Sequence, residues 1–539
     1  MLENYDTLSM EEKRKLLPYV TNTDKSVFAL RNLPEVIKGA LFSRYSRSAL
    51  GLRQLLLKEF IGSDEASFSD IAQGSGNIAN QEIAIKKAEE FYNRVLDGYG
   101  DDSIGELGGA HLAFENVSII ATKIIEDARI GGSPLEKSTR YIFFDQKVDN
   151  DYRFLKEPVL MQSKFKDLYL STCRNLFEVY SECIEPLTKY VEKITLLEEG
   201  VSVQAYKASV RARVCDALRG LLPASTLTNI GMFGNGRFFE TLIQKLNCSH
   251  LSEMKEIGTL AFEELSKIIP SFVRRGNTEH KHFKLLLDFL NNQENLIKNK
   301  AQNLNFKKGS VNNPVSVIDY DKDAIIKVAS AILYEYTDAP LKEIYKKLKN
   351  SSKEELDDIL KTCYEGRLNR RHKPPRALEH AFYTFDLVGD YGIFRDLHRH
   401  RMLTQQRQLL STNLGYNIPQ DIIDSGLDKK FTKALNEASK AYDIISKEYP
   451  LQAQYVVPMA YRIRWYFKIN LRSLVWMCEL RSAPQGHINY RKIAQEITRQ
   501  VCKIHPEFSP FFKFVNFEEI ALGRLEQEKK SIEKRNQRN

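Results

Sequence analysis

Paired cysteines are missing from this sequence. Its seven cysteines, at 173, 183, 215, 248, 363, 478 and 502, form no Cys-x-x-Cys and are odd in number. That pattern argues against redox chemistry by paired thiols and against a disulfide framework, and reduced, buried thiols are expected. Long apolar runs are absent as well, so no stretch reads as a membrane span. The opening residues, MLENYDTLSMEEKRKLL, lack the basic start and apolar middle of a secretory signal. A soluble, cytoplasmic protein is the expectation.

What is present is ordinary globular material, with 42% apolar and 28% charged residues in a chain of 539. The length is several times what one core needs, so two domains are expected. A formal charge of +9 favours anionic partners without choosing among them, since nucleotides and RNA are both anionic. Part of that excess lies in the tail RLEQEKKSIEKRNQRN after Gly523. Its mixed charges and missing apolar stripe predict a solvated helix in preference to a nucleic-acid-binding arm.

Residues 291–314, NNQENLIKNKAQNLNFKKGSVNNP, are rich in Asn and Lys and poor in aromatics, and they mark the junction between domains at 1–290 and 315–539. One spacing recurs on both sides. Pro223 is followed twelve residues later by Asn235-Gly236-Arg237, and Pro458 twelve residues later by Asn470-Leu471-Arg472. Beyond it, Phe239, Leu242, Ile243 and Leu246 align with Leu474, Met477, Cys478 and Arg481, one amphipathic helix written twice. The second copy ends that face in a cation where the first has leucine. A second shared block runs from Glu106 to Arg129 and from Glu379 to Arg401, and it predicts a strand, a helix and a loop in each copy. Two related domains of this kind are expected to pack pseudosymmetrically.

Two clusters carry the chemistry. Arg399-His400-Arg401 closes a helical stripe in LHRHRMLTQQRQLL, and either a diphosphate or a plain solvated helix end accounts for it. His398-x-His400 is a weak metal pattern that no neighbouring carboxylate or cysteine completes, so no metal is expected. In the first half, Glu136-Lys137-Ser138-Thr139-Arg140-Tyr141 follows a Gly-Gly-Ser-Pro turn and reads as a loop entering a strand. On an extended chain Ser138 and Arg140 would project the same way, toward one phosphate or one base edge; a surface serine beside a salt-bridged arginine is the plainer alternative.

Together these blocks resemble the flavin-dependent thymidylate synthases. That family carries Arg-His-Arg, then a serine after seven residues, with Glu-His upstream and an Asn-x-Arg helix downstream. The second half supplies Glu379-His380, Arg399-His400-Arg401, Asn470-Leu471-Arg472 and Arg481, but holds Leu409 and Ser411 where the family has its serine and arginine. The first half keeps the nucleotide loop around Ser138 and Arg140, and Arg219 at the family's phosphate-binding position. There Ala128 and Arg129 replace the Arg-His-Arg, while Gln454 stands at the Arg219 position of the second copy.

The resemblance implies two tandem copies of an α/β (α+β) fold, helix-rich with a mixed sheet in each half. It implies conversion of dUMP to dTMP with methylenetetrahydrofolate as carbon donor and FAD and NADPH as reductants, in a homodimer imitating the family's tetramer. By that resemblance His380, Arg399, His400, Arg401, Asn470 and Arg472 would bind FAD. Glu136, Ser138, Arg140 and Arg219 would bind the nucleotide, and Arg481 would polarise the uracil. A flavin-dependent transferase for another pyrimidine or for nucleic acid, and a non-catalytic nucleotide- or flavin-binding paralogue, are the alternatives.

Overall fold

The computed structural model describes residues 8–45, 48–61, 105–128, 130–197, 199, 201–306, 309, 311, 313–520 and 522–536. Arg129 lies outside them. In chain order the elements used below are β1 (Gly109–Ser118), α1 (Ile119–Glu126), β2 (Gly132–Glu136), α2 (Lys166–Ile194), α3 (Val203–Leu218), β3 (Leu227–Asn235), α4 (Gly236–Asn247), β4 (Val315–Tyr320), β5 (Phe382–Asp390), α5 (Tyr391–Leu397), β6 (Thr404–Arg407), α6 (Asp428–Ile445), β7 (Arg462–Asn470), α7 (Leu471–Arg481), α8 (Ile488–Ile504) and α9 (Leu525–Asn536). The fold is helix-rich α/β, with strand, helix and loop in the predicted order in both copies.

The chain forms two compact units that cut across the two copies. One comprises residues 1–117, 124–136 and 228–306; the other comprises 118–123, 137–227 and 307–539. A long part of the first copy is therefore built into the same unit as the second copy.

The first unit holds a three-stranded sheet in the order β1-β3-β2, with β2 antiparallel to β3. Asn235 ends β3 and caps α4, its Oδ1 accepting the Phe238 N–H at 2.8 Å. The capped helix buries Phe239, Leu242, Ile243 and Leu246 completely. Burial of this kind contributes roughly 1.5–3 kcal/mol per side chain. Gly132 and Gly234 face each other in register, and a Cβ on either would stand 2.4 Å from the Phe238 ring, so the ring lies where no other residue leaves room. Arg237 pairs with Glu106 at 2.9 Å.

The second unit carries a four-stranded antiparallel sheet in the order β4-β5-β7-β6. Tyr383, Phe385 and Leu387 sit opposite Ile469, Phe467 and Trp465 on its buried face. Asn470 repeats the role of Asn235, capping α7 through the Ser473 N–H at 2.8 Å, and Leu474, Met477 and Cys478 are fully buried. Arg472 pairs with Glu379 at 2.8 Å, as Arg237 does with Glu106. Both shared blocks thus meet in each copy through one arginine–glutamate pair.

The two repeat prolines also meet, because Pro223 and Pro458 form an antiparallel bridge. Ala224 N–H donates to Val457 O at 2.9 Å, and Met459 N–H to Leu222 O at 3.0 Å. Each position faces its own counterpart, as segments related by a two-fold axis do. Helix α2 packs on α3 and α6 in the same unit. The C-terminal tail is helical as predicted, but α9 docks on α3 and does not stand free in solvent.

Candidate functional site

The functional residues of the first copy reach the second unit through α3. Ser202 caps that helix, and its last turns carry Asp216 and then Arg219, which opens a short 3-10 turn. Arg140 grips Asp216 with two parallel hydrogen bonds, Nε to Oδ1 at 2.7 Å and Nη2 to Oδ2 at 2.8 Å. Its Nη1 donates to Tyr490 Oη at 2.9 Å. The segment holding Arg140 is a turn and not a strand, because β2 ends at Glu136 and the Arg140 N–H folds back onto Ser138 Oγ at 3.1 Å. The extended geometry expected for Ser138 and Arg140 is thereby corrected.

The second copy supplies the other half. Asp390 caps α5, all seven residues of that helix are buried, and Asp396 near its end receives Arg219 Nη1 at 3.0 Å. Arg219 Nη2 is buried with no hydrogen-bond partner among the described residues. Arg481 closes α7 and donates from Nε to His400 Nε2 at 2.9 Å. Tyr490 on α8 lies between two cations, with Arg140 and Arg481 at 5.3 and 5.7 Å from its ring centre. His487 caps α8: its Nδ1 accepts from the Asn489 N–H at 3.1 Å and its Nε2 lies 3.2 Å from the Asp216 carbonyl oxygen.

The charges follow from this packing. Burial opposes ionisation of Asp216, but Arg140 outweighs it and holds the carboxyl well below its ordinary range. Asp396 is held down likewise, with Arg219 the strongest of the cations acting against its burial. Burial, aided by the charge of Arg481, pushes His400 well below the ordinary histidine value. A neutral His400 with its proton on Nδ1 is the form that can accept from Arg481. Burial and the charge of Arg219 lower His487 as well.

Arg140, Arg219, His400 and Arg481 are therefore brought into one network within a single chain. The remaining predicted residues are placed differently. Glu136 is buried at the end of β2 in the first unit, opposite Ile230. His380, Arg399 and Arg401 are exposed, the two arginines flanking His400. Asn470 gives its side-chain oxygen to the helix cap, and Arg472 gives two hydrogen bonds to Glu379 and the Pro374 carbonyl. Leu409 is exposed, while the buried Gln454 accepts the Leu410 N–H at 3.1 Å and so ties down the loop that departs from the family pattern.

Asp216, Asp396, His487, Tyr490 and Arg524 escaped the sequence reading. The available signal was charge inside apolar helical stretches, as in YGIFRDL, where burying an aspartate demands a cation. Asp216, His487 and Arg524 border a cleft of about 1040 Å³ in the second unit. Among the described residues no group of three or more His, Cys, Asp or Glu side chains could hold a metal ion, and no helix is long and apolar enough to cross a membrane.

Residues 62–271 and 316–507 each match the thymidylate synthase complementing protein family. The chain is 49% identical to a UPF0159 protein of Chlamydia muridarum over 98% of its own length and 99% of that protein. It is 32% identical to a UPF0159 protein of Thermoplasma acidophilum over 91% of its length and 97% of that one. A flavin-dependent thymidylate synthase of Clostridium tetani is 26% identical over 216 residues, which span 36% of this chain and 83% of the synthase. The family domain appears twice in this chain. The chain belongs to the thymidylate synthase complementing protein family, as a tandem duplication of its domain.

Proposed function

We propose that this chain is a flavin-dependent methyltransferase of the thymidylate synthase class. It converts dUMP to dTMP with methylenetetrahydrofolate as carbon donor and with FAD, reduced by NADPH, as hydride source. One observation carries the reading: Arg140, Asp216 and Arg219 from the first copy and Asp396, His400, Arg481 and Tyr490 from the second lie in one charge cluster inside a single compact unit, with Arg219, Arg140 and Arg481 all acting on Asp396. Each copy supplies what the other has lost.

Arg481 polarises the uracil. His400 and Tyr490 hold its guanidinium in place, and in a partly dry site such a cation stabilises charge developing on the carbonyl oxygen. Arg140 and Arg219 face the nucleotide phosphate, oriented by Asp216 and Asp396. The donor set also fits a flavin nucleotide, whose diphosphate suits the exposed guanidinium groups of Arg399 and Arg401. With His380, His400, Asn470 and Arg472 they would hold FAD, which supplies hydride when bound.

The absorption spectrum of the purified protein and an anaerobic titration of its flavin with dUMP test this. A yellow protein that responds to dUMP and forms dTMP supports it. A colourless protein that takes up no FAD sinks it and leaves a non-catalytic binding protein. The ion pairs already made by Arg140 and Arg219 favour one second reading, a flavin-dependent transferase for a different pyrimidine or for nucleic acid. Competition between dUMP and RNA separates the two.

A further inference from the structure

Arg524 lies beyond both stretches that match the family, in the segment that enters α9. That segment is fastened to the second unit. Asn516 N–H donates to Ser482 Oγ at 3.0 Å, and Arg491 Nη2 reaches Asn516 Oδ1 at 2.8 Å and Glu518 O at 2.7 Å. Gly523 then passes so close to the 484–485 turn that a Cβ there would stand 1.9 Å from the Pro484 carbonyl oxygen. This approach delivers the next side chain inward.

The Arg524 side chain is 6% exposed. Its Nη1 donates to the Arg140 carbonyl at 2.7 Å, its Nη2 lies 3.4 Å from Asp216 Oδ2, and its guanidinium covers the Tyr141 ring at 4.3 Å. Asp216 therefore serves two arginines, Arg140 tightly and Arg524 at long range. Neither has a second carboxylate partner among the described residues. Two guanidinium groups thus share one carboxylate in a largely buried place, an arrangement that an arriving anion would stabilise. Burial also pushes the Arg524 guanidinium below its ordinary value.

Space for that anion exists. Arg524 and Asp216 line the cleft of about 1040 Å³, and Asp216 and His487 also line a pocket of about 20 Å³ reached by Arg219. The unpartnered Nη2 of Arg219 is a second buried donor beside the same residues.

We propose that Arg524 is an anion-binding residue of the substrate site, supplied by the C-terminal segment, and that its ligand is the monophosphate of a pyrimidine nucleotide. The identity of the nucleotide rests on the function proposed above. Arg524 grips the phosphate from the wall of the cleft, while Asp216, itself held by Arg140, keeps the Arg524 guanidinium aimed.

Calorimetric titration of the full chain with dUMP, deoxyuridine and inorganic phosphate tests the proposal, with Arg524→Gln and Arg524→Lys as variants. Arg524→Gln is expected to weaken dUMP by about tenfold or more and to leave deoxyuridine unchanged, since a charge-assisted hydrogen bond is lost. Arg524→Lys keeps the charge without the fork and is expected to fall between. If Arg524→Gln does not fold, Arg524→Lys decides alone: a loss confined to dUMP supports the proposal. Unchanged dUMP affinity, an equal loss for dUMP and deoxyuridine, or a wild-type chain that binds neither dUMP nor phosphate overturns it. Binding of dUMP through Arg524 with no dTMP formed would sink the synthase and leave this site standing; dTMP formation with a KM insensitive to Arg524 would do the reverse.

Discussion

Arg481 and His400 share one hydrogen bond, which the ring can accept only while Nε2 carries no proton. Because burial lowers the folded-state pKa of His400, the unfolded chain binds the extra proton first as pH falls below about 6.5. The stabilisation is full above that value and is lost on acidification. Denaturation midpoints should therefore drop as the pH falls below about 6.5, and His400→Gln, which retains an acceptor for Arg481 but does not titrate, should flatten part of the drop. Asp396 makes the opposite kind of demand. Asp396→Asn leaves Arg219 buried beside a neutral amide of nearly the same shape, and should cost about 3 kcal/mol in urea denaturation. An unchanged midpoint would mean that the pair contributes little. For Arg481→Lys, turnover should fall about a hundredfold while dUMP affinity stays within about threefold, because the lost contact acts on charge that develops during reaction.

At the scale of elements, the recurrent Asn-x-Arg is first a way of starting a helix. Asn235 and Asn470 each end a strand and cap the next helix, and each following arginine pairs with the glutamate that opens its copy's shared block. A ligand-binding asparagine and a capping one look alike in sequence, and their substitutions tell them apart. Asn470→Ala should lose about 1 kcal/mol of stability while Asn470→Asp, also a good cap, should lose much less. If flavin affinity falls equally in both variants, the amide contacts the cofactor as well as capping. The amphipathic repeat was legible because apolar side chains recur with the helical period. The turn at Ser138 was not, since a serine accepting its neighbour's N–H leaves no periodic trace.

For the whole molecule, the compact units do not coincide with the two copies. Residues 137–227 belong to the same compact unit as 307–539, and the bridge between Pro223 and Pro458 lies inside it. A fragment of residues 315–539 expressed alone should expose the apolar surface that α2 and α3 cover, and should be insoluble or bind a hydrophobic dye. Co-expression with residues 1–290 should restore a soluble complex. A well-folded isolated fragment with a sharp thermal transition would contradict this.

The sequence by itself determined the family, the duplication, the helical register of the repeated segment and the unequal division of cations between the copies. All of these rest on residue type and on spacing along the chain. Only the tertiary structure decided which charges meet. Arg140 reaches Tyr490 across 350 positions, and Arg219 reaches Asp396 across 177. Such pairings are set by how helices and turns pack, because a buried charge selects a partner by proximity in space and not by distance in sequence. The same reason hid Arg524, which reads as part of a solvated tail until packing carries it inside.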